Sequence, residues 1–277
     1  QMTNARCSYW HFRTDANSDM KVAALTSYLA GQKQVKQVFL LNPNYAYGQE
    51  VSRAARSMLA AKRPDLKIVG DDFHPLGQVK DYSPYIAKIK QSGADAVITA
   101  DLGADLALIV RAAREAGLNT DFYTLNGNNF GVPSAMGAAG QGRVKLISAF
   151  SPNSEPLMSS PLLPGFKRQF NEDFINGLGH NAMLMLAQAM REAKSVEPGA
   201  VAARMSGMRF EGINGPVEMR KSDHQAQQPI HVLSWEKMDG KTVVHDQEGT
   251  GLGWKPVSTV SAQASSLDTS CTMKRPS

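Results

Sequence analysis

Residues 93–125 read GADAVITADLGADLALIVRAAREAGLNTDFYTL, and this stretch decides the fold. Residues 94–99 are a short apolar run with β-branched members, bounded by Gly93 and Asp101, which predicts a buried strand. Leu106, Ile109, Val110 and Ala113 then recur at helical spacing, and Gly117 suits the position just past a helix end. Residues 122–125 predict the next strand. The unit is β-loop-α-loop-β, and apolar strands without alternation fit a parallel sheet buried on both faces. Ligands of such sheets bind beyond the carboxyl ends of the strands. That rule selects two loops, 100–105 and 126–130.

The same period extends outward. Residues 37–41 (QVFLL) predict a strand. A helix over 49–62 turns Val51, Ala54, Ala55, Met58 and Leu59 inward and stops at Pro64, and a second strand follows over 66–70. Ser83 with Pro84 reads as an N-cap followed by proline in the first helical turn, opening a helix over 85–91. Strands therefore start near 37, 66, 95 and 122, the spacing of roughly 30 residues expected of successive βαβ units with right-handed crossovers. A helix from about Asp15 or Ser18 to Leu29 precedes them, and 144–150 (VKLISAF) reads as the last strand. Phe12-Arg13-Thr14 reads as a short extended segment. Residues 15–150 thus describe a nearly complete α/β lobe.

Composition changes at residue 151. Residues 151–164 hold four prolines and four serines and read as a connector. Residues 166–193 read as helical with a break at 177–179, and the methionines there as core filler. A short helix is expected over 200–208, and a hairpin over 210–219 around Asn214-Gly215. Two strands, 230–237 and 241–245, are expected on either side of Asp239-Gly240. Residues 249–277 read as a Ser/Thr/Gly-rich tail. No parallel sheet accompanies the helices of 166–219, so helix 181–193 and the hairpin are expected to lack a packing surface.

A chain of 277 residues accommodates two domains, and 42% apolar with 20% charged residues is the composition of a soluble globular protein. The net charge of +5 is spread among mixed signs without a dense Lys/Arg block, so nucleic acid is not an expected partner. No apolar run is long enough to insert in a bilayer. The first 18 residues lack the order of a signal peptide, as a mature exported protein would. The spacing of Cys7 and Cys271 fits no metal motif.

Catalytic motifs are not found. Residues 137–142 (GAAGQG) do not follow the G-x-G-x-x-G order, and neither a phosphate-binding G-x-x-x-x-G-K-[ST] loop nor a G-x-S-x-G elbow occurs. Asp71-Asp72 with His74 raises a metal, but a strand end running into a polar turn explains it better. Asp223-His224 has no nucleophile in a recognisable setting. No cofactor, metal or enzymatic activity is expected. What remains are the strand-end loops. Tyr45 and Tyr47 follow the first strand, Asp101, Leu102 and Asp105 the third, and Asn126, Gly127, Asn128 and Asn129 the fourth. Rings, amides and carboxylates converging on one edge describe a pocket for a small polar or aromatic solute. Each also has a structural reading: Asp105 as a helix cap, the asparagines as turn formers, Tyr45 packed on the next helix.

At these residues the chain resembles the periplasmic substrate-binding proteins of branched-chain-amino-acid-type ABC transporters, which have the type I periplasmic binding fold. The matching stretches are 38–49 (VFLLNPNYAYGQ), 94–118 (ending GADLALIVRAAREAGL), 122–142, 219–229 (MRKSDHQAQQP), 249–254 and 270–276 (SCTMKRP). The resemblance implies an α/β protein of two lobes, parallel sheets flanked by helices, joined by three crossing strands with the ligand clamped between. It assigns 15–150 to the second lobe, 151–226 to an incomplete first lobe, 227–248 to the return crossing and 249–277 to a tail at the hinge, with N-terminal βα units of the first lobe absent. It implies a non-enzymatic periplasmic receptor, exported from the cytoplasm, that delivers a small organic solute to an ABC membrane permease. The same fold also serves as the ligand-sensing domain of regulators and receptors. Carried over by position, Tyr47 matches a ligand-stacking tyrosine and Leu102 stands where amino-acid binders have an aromatic residue. Asn126 stands where they have a glutamate for the ligand's ammonium. The expected ligand-binding residues are Tyr45, Tyr47, Asp101, Leu102, Asn126 and Gly127. The implied ligand is an amino acid, an amide or a small aromatic or aliphatic carboxylate. Because the three crossings run side by side, the resemblance also implies a Cys7–Cys271 disulfide at the hinge.

Overall fold

The structure is a computed structural model and describes residues 2–276. Asn17 opens its first regular element, accepting from the Met20 amide at the start of α1 (Ser18–Gly31). Strand and helix then alternate through β1 (Gln37–Pro43), α2 (Ala46–Lys62), β2 (Lys67–His74), α3 (Ser83–Ser92), β3 (Ala96–Thr99), α4 (Gly103–Glu115), β4 (Asp121–Thr124), α5 (Val132–Met136) and β5 (Val144–Ser148). The second half holds α6 (Glu155–Met158), α7 (Leu162–Phe170), α8 (Gly177–Ala193), α9 (Pro198–Met205), β6 (Arg209–Gly212), β7 (Gly215–Met219), β8 (Ala226–Gln227), β9 (Ile230–Lys237), β10 (Leu252–Val260) and α10 (Ala262–Ser265).

A seven-stranded sheet runs β10-β9-β5-β4-β3-β1-β2. Strands β1 to β5 pair in parallel, while β9 pairs antiparallel with both β5 and β10. All four residues of β3 are buried, and so is β1 beyond its first residue. Layers on both faces explain this. One core packs α1 and α2 through Leu25, Leu29, Val51 and Leu59 onto Val38, Leu40 and Ile98. The other packs α3 and α4 through Ile86, Ile89, Leu106 and Ile109 onto Phe39, Val97 and Phe122. Fully burying each such side chain is worth about 1.5–3 kcal/mol, so the two-sided burial dominates local propensity.

The second sheet, β6-β7-β8, is small and antiparallel. The lack of packing expected for the hairpin and for helix 181–193 is corrected here. Phe210 and Val217 are buried against Met185, Ala189, Val201 and Met205, so hairpin, α8 and α9 form a core of their own. Only part of α8 stays open: Met183 is 65% exposed and Leu184 41%.

Three other expectations change. The helical break falls at 171–176, and α8 begins at Gly177 behind the Asn176 cap, which accepts the Gly179 amide; a Cβ at Gly177 would lie 2.2 Å from the Phe150 ring. Ser83 is already helical; the Asp81 carboxylate accepts its amide. The strand expected over 241–245 does not form. Asp239 Oδ1 accepts the amides of Lys241, Thr242 and Val243, and this turn withdraws them from any ladder. On the side away from β5, the antiparallel partner of β9 is instead β10, within the stretch expected to be a tail.

The connecting segments run side by side. Arg13 bridges Gln225 in parallel, its amide donating to His224 O and its carbonyl accepting from Ala226 N. Gln228 Nε2 donates to Thr14 O, and His231 pairs with Ser148 at the end of β5. A disulfide joins Cys7 to Cys271 across 264 positions, with Cα atoms 5.6 Å apart. Ser270 N donates to Asn4 Oδ1 at 2.6 Å beside it.

Candidate functional site

The parallel strands direct their carboxyl ends to one edge of the large sheet, where the expected residues meet in part. Tyr45 is the N-cap residue of α2 and Leu102 that of α4, so both side chains leave the backbone where a strand turns into a helix. Gly48 lets α2 start directly over β1, since a Cβ there would lie 2.0 Å from Pro43 O. Asn42 Oδ1 accepts the Ala100 amide at 2.8 Å and ties the first loop to the third.

Asn126 is the centre of this edge. Its Nδ2 donates to Ala100 O at 3.1 Å and reaches Asp101 O and Tyr47 Oη, each at 3.4 Å. Its own amide donates to Thr124 Oγ1. The carboxamide thus joins three loops, with its oxygen left for a further donor. Tyr47 lies with its ring 6.1 Å from that of Tyr45. Burial pushes the Tyr47 hydroxyl's pKa above its ordinary value, so it is a neutral donor at physiological pH. Tyr45 is raised as well, by burial and then by the Asp101 charge.

Asp101 and Gly127 sit differently from a simple lining. The Asp101 side chain is fully buried and turns away from the edge, accepting from Thr99 Oγ1 at 2.7 Å and bonding His74 Nε2 at 2.8 Å. Only its carbonyl reaches Asn126. Gly127 faces inward, where a Cβ would lie 2.9 Å from the Trp254 ring. Its contribution is close packing of the β4 loop.

His74, Asp101 and Asp105 are buried, with ligand-capable atoms within 4.8 Å of one another. Among the described residues they are the group able to hold a metal, yet their bonds have other uses. His74 Nδ1 lies 3.3 Å from Tyr82 Oη, and Asp105 Oδ2 accepts the Gly77 amide at 2.7 Å. Burial opposes charge on His74, but the hydrogen bond and charge of Asp101 outweigh it and raise its pKa. The arrangement is a hydrogen-bonded brace behind the edge. Asp105 caps the 74–77 turn instead of its own helix, and the 71–74 grouping disperses: Asp71 bonds Ser52 and Arg56, and Asp72 pairs with Lys88.

One contributor was not singled out in the sequence. A hollow of about 550 Å³ beside the edge is lined by Tyr47, Arg6, Arg13, Glu50 and Arg53, among others. Arg53 is paired with Asp19, and Glu50 accepts from Ser18 Oγ. Arg6 and Arg13 form no ion pair among the described residues. The Arg13 charge acts on the Tyr47 hydroxyl. The only sequence signal was a lone cation in an extended segment that turned out to be a crossing.

Residues 1–241 match the family model described as periplasmic binding protein. The chain is 27% identical over 295 residues to the Leu/Ile/Val-binding protein homolog 4 of Brucella abortus, covering all of this chain and 67% of that protein. Its fold superposes with a TM-score of 0.85 on the closed form of a leucine-, isoleucine-, valine-, threonine- and alanine-binding protein of Brucella ovis, at 24% identity over 99% of this chain and 71% of the other. A benzoate-bound solute-binding protein of an R. palustris ABC transporter superposes at 0.75, with 19% identity over 98% of this chain and 71% of its own.

Proposed function

Because the chain belongs to the periplasmic binding protein family, whose members here are binding proteins and not enzymes, we propose that it is a receptor for a small organic carboxylate lacking an α-ammonium group. The observation that carries this reading is the polar character of the Tyr47–Asn126 edge. Recognition of an ammonium there calls for an acceptor with charge, and a charge-assisted bond is about twice as strong as a neutral one. Asn126 is neutral, and its donor nitrogen is committed to Ala100 O. The Asp101 carboxylate is turned away. Arg6 and Arg13 line the adjoining hollow without an ion pair among the described residues, and of the two Arg13 lies near enough to act on Tyr47; its planar fork suits a carboxylate. Among the structural neighbours both aliphatic amino acids and benzoate are represented, and the neutral edge favours the second kind.

The receptor would work by hinge closure. Residues 15–150 with β9 and β10 form one body and residues 151–226 the other, hinged where Arg13, Ser148 and Gln225 cross. Ligand captured between them would be handed to an ABC permease in the periplasm.

A thermal-shift and calorimetric panel of benzoate, 4-methylpentanoate, leucine and leucinamide tests the reading. A ligand at about 100 times its Kd stabilises the folded state by roughly 2.7 kcal/mol. The two carboxylates are expected to raise the melting temperature, and leucine and its amide to leave it unchanged. Tightest binding of leucine would overturn the proposal.

A further inference from the structure

A second cavity, of about 220 Å³, lies beside the β4 loop, between the end of β5, α7 and residues 244–247. Its lining mixes apolar side chains, three of them the aromatic Phe150, Phe174 and Trp254, with polar groups that include Lys167, Asp173 and Asp246. Phe150 and Phe174 meet edge to face with centroids 6.0 Å apart, and Trp254 and Leu163 line the cavity beside them. Trp254 in turn packs on Trp235 at 4.8 Å.

The polar groups around this cavity are already bonded to one another. Lys167 Nζ is paired with Asp173 at 2.9 Å and Asp246 at 3.3 Å. Asp173 also accepts the Glu248 amide, and Asp246 accepts that of Gly251. Gln247 uses both ends of its carboxamide, donating to Asn128 O and accepting from Trp254 Nε1. His245 Nε2 faces Leu157 O at 3.2 Å. An ionic guest would have to break one of these bonds, so the site offers an anion no free cation and a cation no free carboxylate.

We propose that this cavity is a binding site for an uncharged single-ring aromatic molecule, separate from the carboxylate-recognising edge. Size supports the class: an apolar cavity of roughly 150 Å³ is enough to hold benzene, and the one here is larger. Shape supports it too, because rings prefer the edge-to-face and offset arrangements that Phe150, Phe174 and Trp254 present.

The test titrates benzene and phenol into the intact protein while following the Trp254 indole N–H by NMR, with benzoate titrated separately. Both neutral rings are expected to shift the Trp254 signal saturably, and benzoate to leave it in place. Val244→Trp, which fills the cavity from its rim, is expected to weaken benzene binding at least tenfold while leaving the response to the carboxylate panel unchanged. Should that variant fail to fold, Leu163→Phe serves the same purpose from the α7 side. Absence of a saturable shift, or displacement of benzene by benzoate, would overturn the assignment. A failed carboxylate panel alongside saturable benzene binding would reject the receptor reading and leave this one standing.

Discussion

Replacing Asn126 by glutamate tests the edge in both stability and specificity. In the parent, Nδ2 is the donor that satisfies Ala100 O at 3.1 Å and lies 3.4 Å from Asp101 O and Tyr47 Oη. A glutamate offers only acceptors at neutral pH. Ala100 O loses its side-chain donor, and a carboxylate now faces carbonyl oxygens. Leaving a buried polar group unsatisfied costs about 1–3 kcal/mol. With one carbonyl deprived and a partly buried charge added, N126E should lose about 2–4 kcal/mol. At roughly 2 °C per kcal/mol for a chain of this size, the melting temperature should fall by about 4–8 °C. An ammonium-bearing ligand would restore a donor to the same place. A hydrogen bond to a charged group is worth about 1.5–3 kcal/mol, so leucine affinity should rise by roughly 10- to 150-fold relative to benzoate. Scanning fluorimetry reads the first effect and calorimetry with leucine and benzoate the second. Asn126→Gln, which keeps a donor, should give neither gain nor reversal in ligand rank. If N126E melts within a degree of the parent and the ligand order stays fixed, Asn126 does not organise this edge.

Further outcomes can be measured independently. Replacing Cys7 and Cys271 with serine opens a loop closed across 264 positions, which chain entropy values at about 5 kcal/mol; a loss below about 1 kcal/mol in urea unfolding would mean that contacts such as Ser270–Asn4 hold the ends without it. Gly48→Ala places a Cβ against Pro43 O and should destabilise by roughly 1–3 kcal/mol, whereas Gly31→Ala, with open space around it, should be neutral or stabilising; equal urea midpoints for the two would contradict the close approach of α2 to β1. His231 is buried, and burial lowers its pKa to about 4. The unfolded chain therefore binds the proton more readily between about pH 6.5 and 4, and the folded state loses roughly 1.4 kcal/mol per pH unit as pH falls through that window. Plots of unfolding free energy against pH should be flatter by that slope in His231→Asn.

The sequence alone determined the alternation of β1 to β5 with their helices, because two-sided burial of a parallel strand demands an uninterrupted apolar run that is visible locally. It also determined the Asn214-Gly215 turn, whose Gly215 takes a φ of 111° that a side chain would resist, and the strand ends beyond which Tyr47, in the first turn of α2, and Asn126 project. Tertiary structure decided the rest. β10 runs Lys255-Pro256-Val257-Ser258-Thr259-Val260 beyond Trp254, with no clean alternation to mark a strand, and it forms one because β9 offers it a partner. The run at 241–245 has strand-like residues, yet one carboxylate at Asp239 captures its amides first. Asp101 stands where a ligand contact belongs, but His74, 27 positions earlier, turns its side chain inward. Arg13 acquires meaning only when a crossing segment carries it beside Tyr47. Local periodicity reports which residues will be buried; which buried or charged group meets which is set by contacts far apart in the chain, and the direction of a side chain follows those contacts.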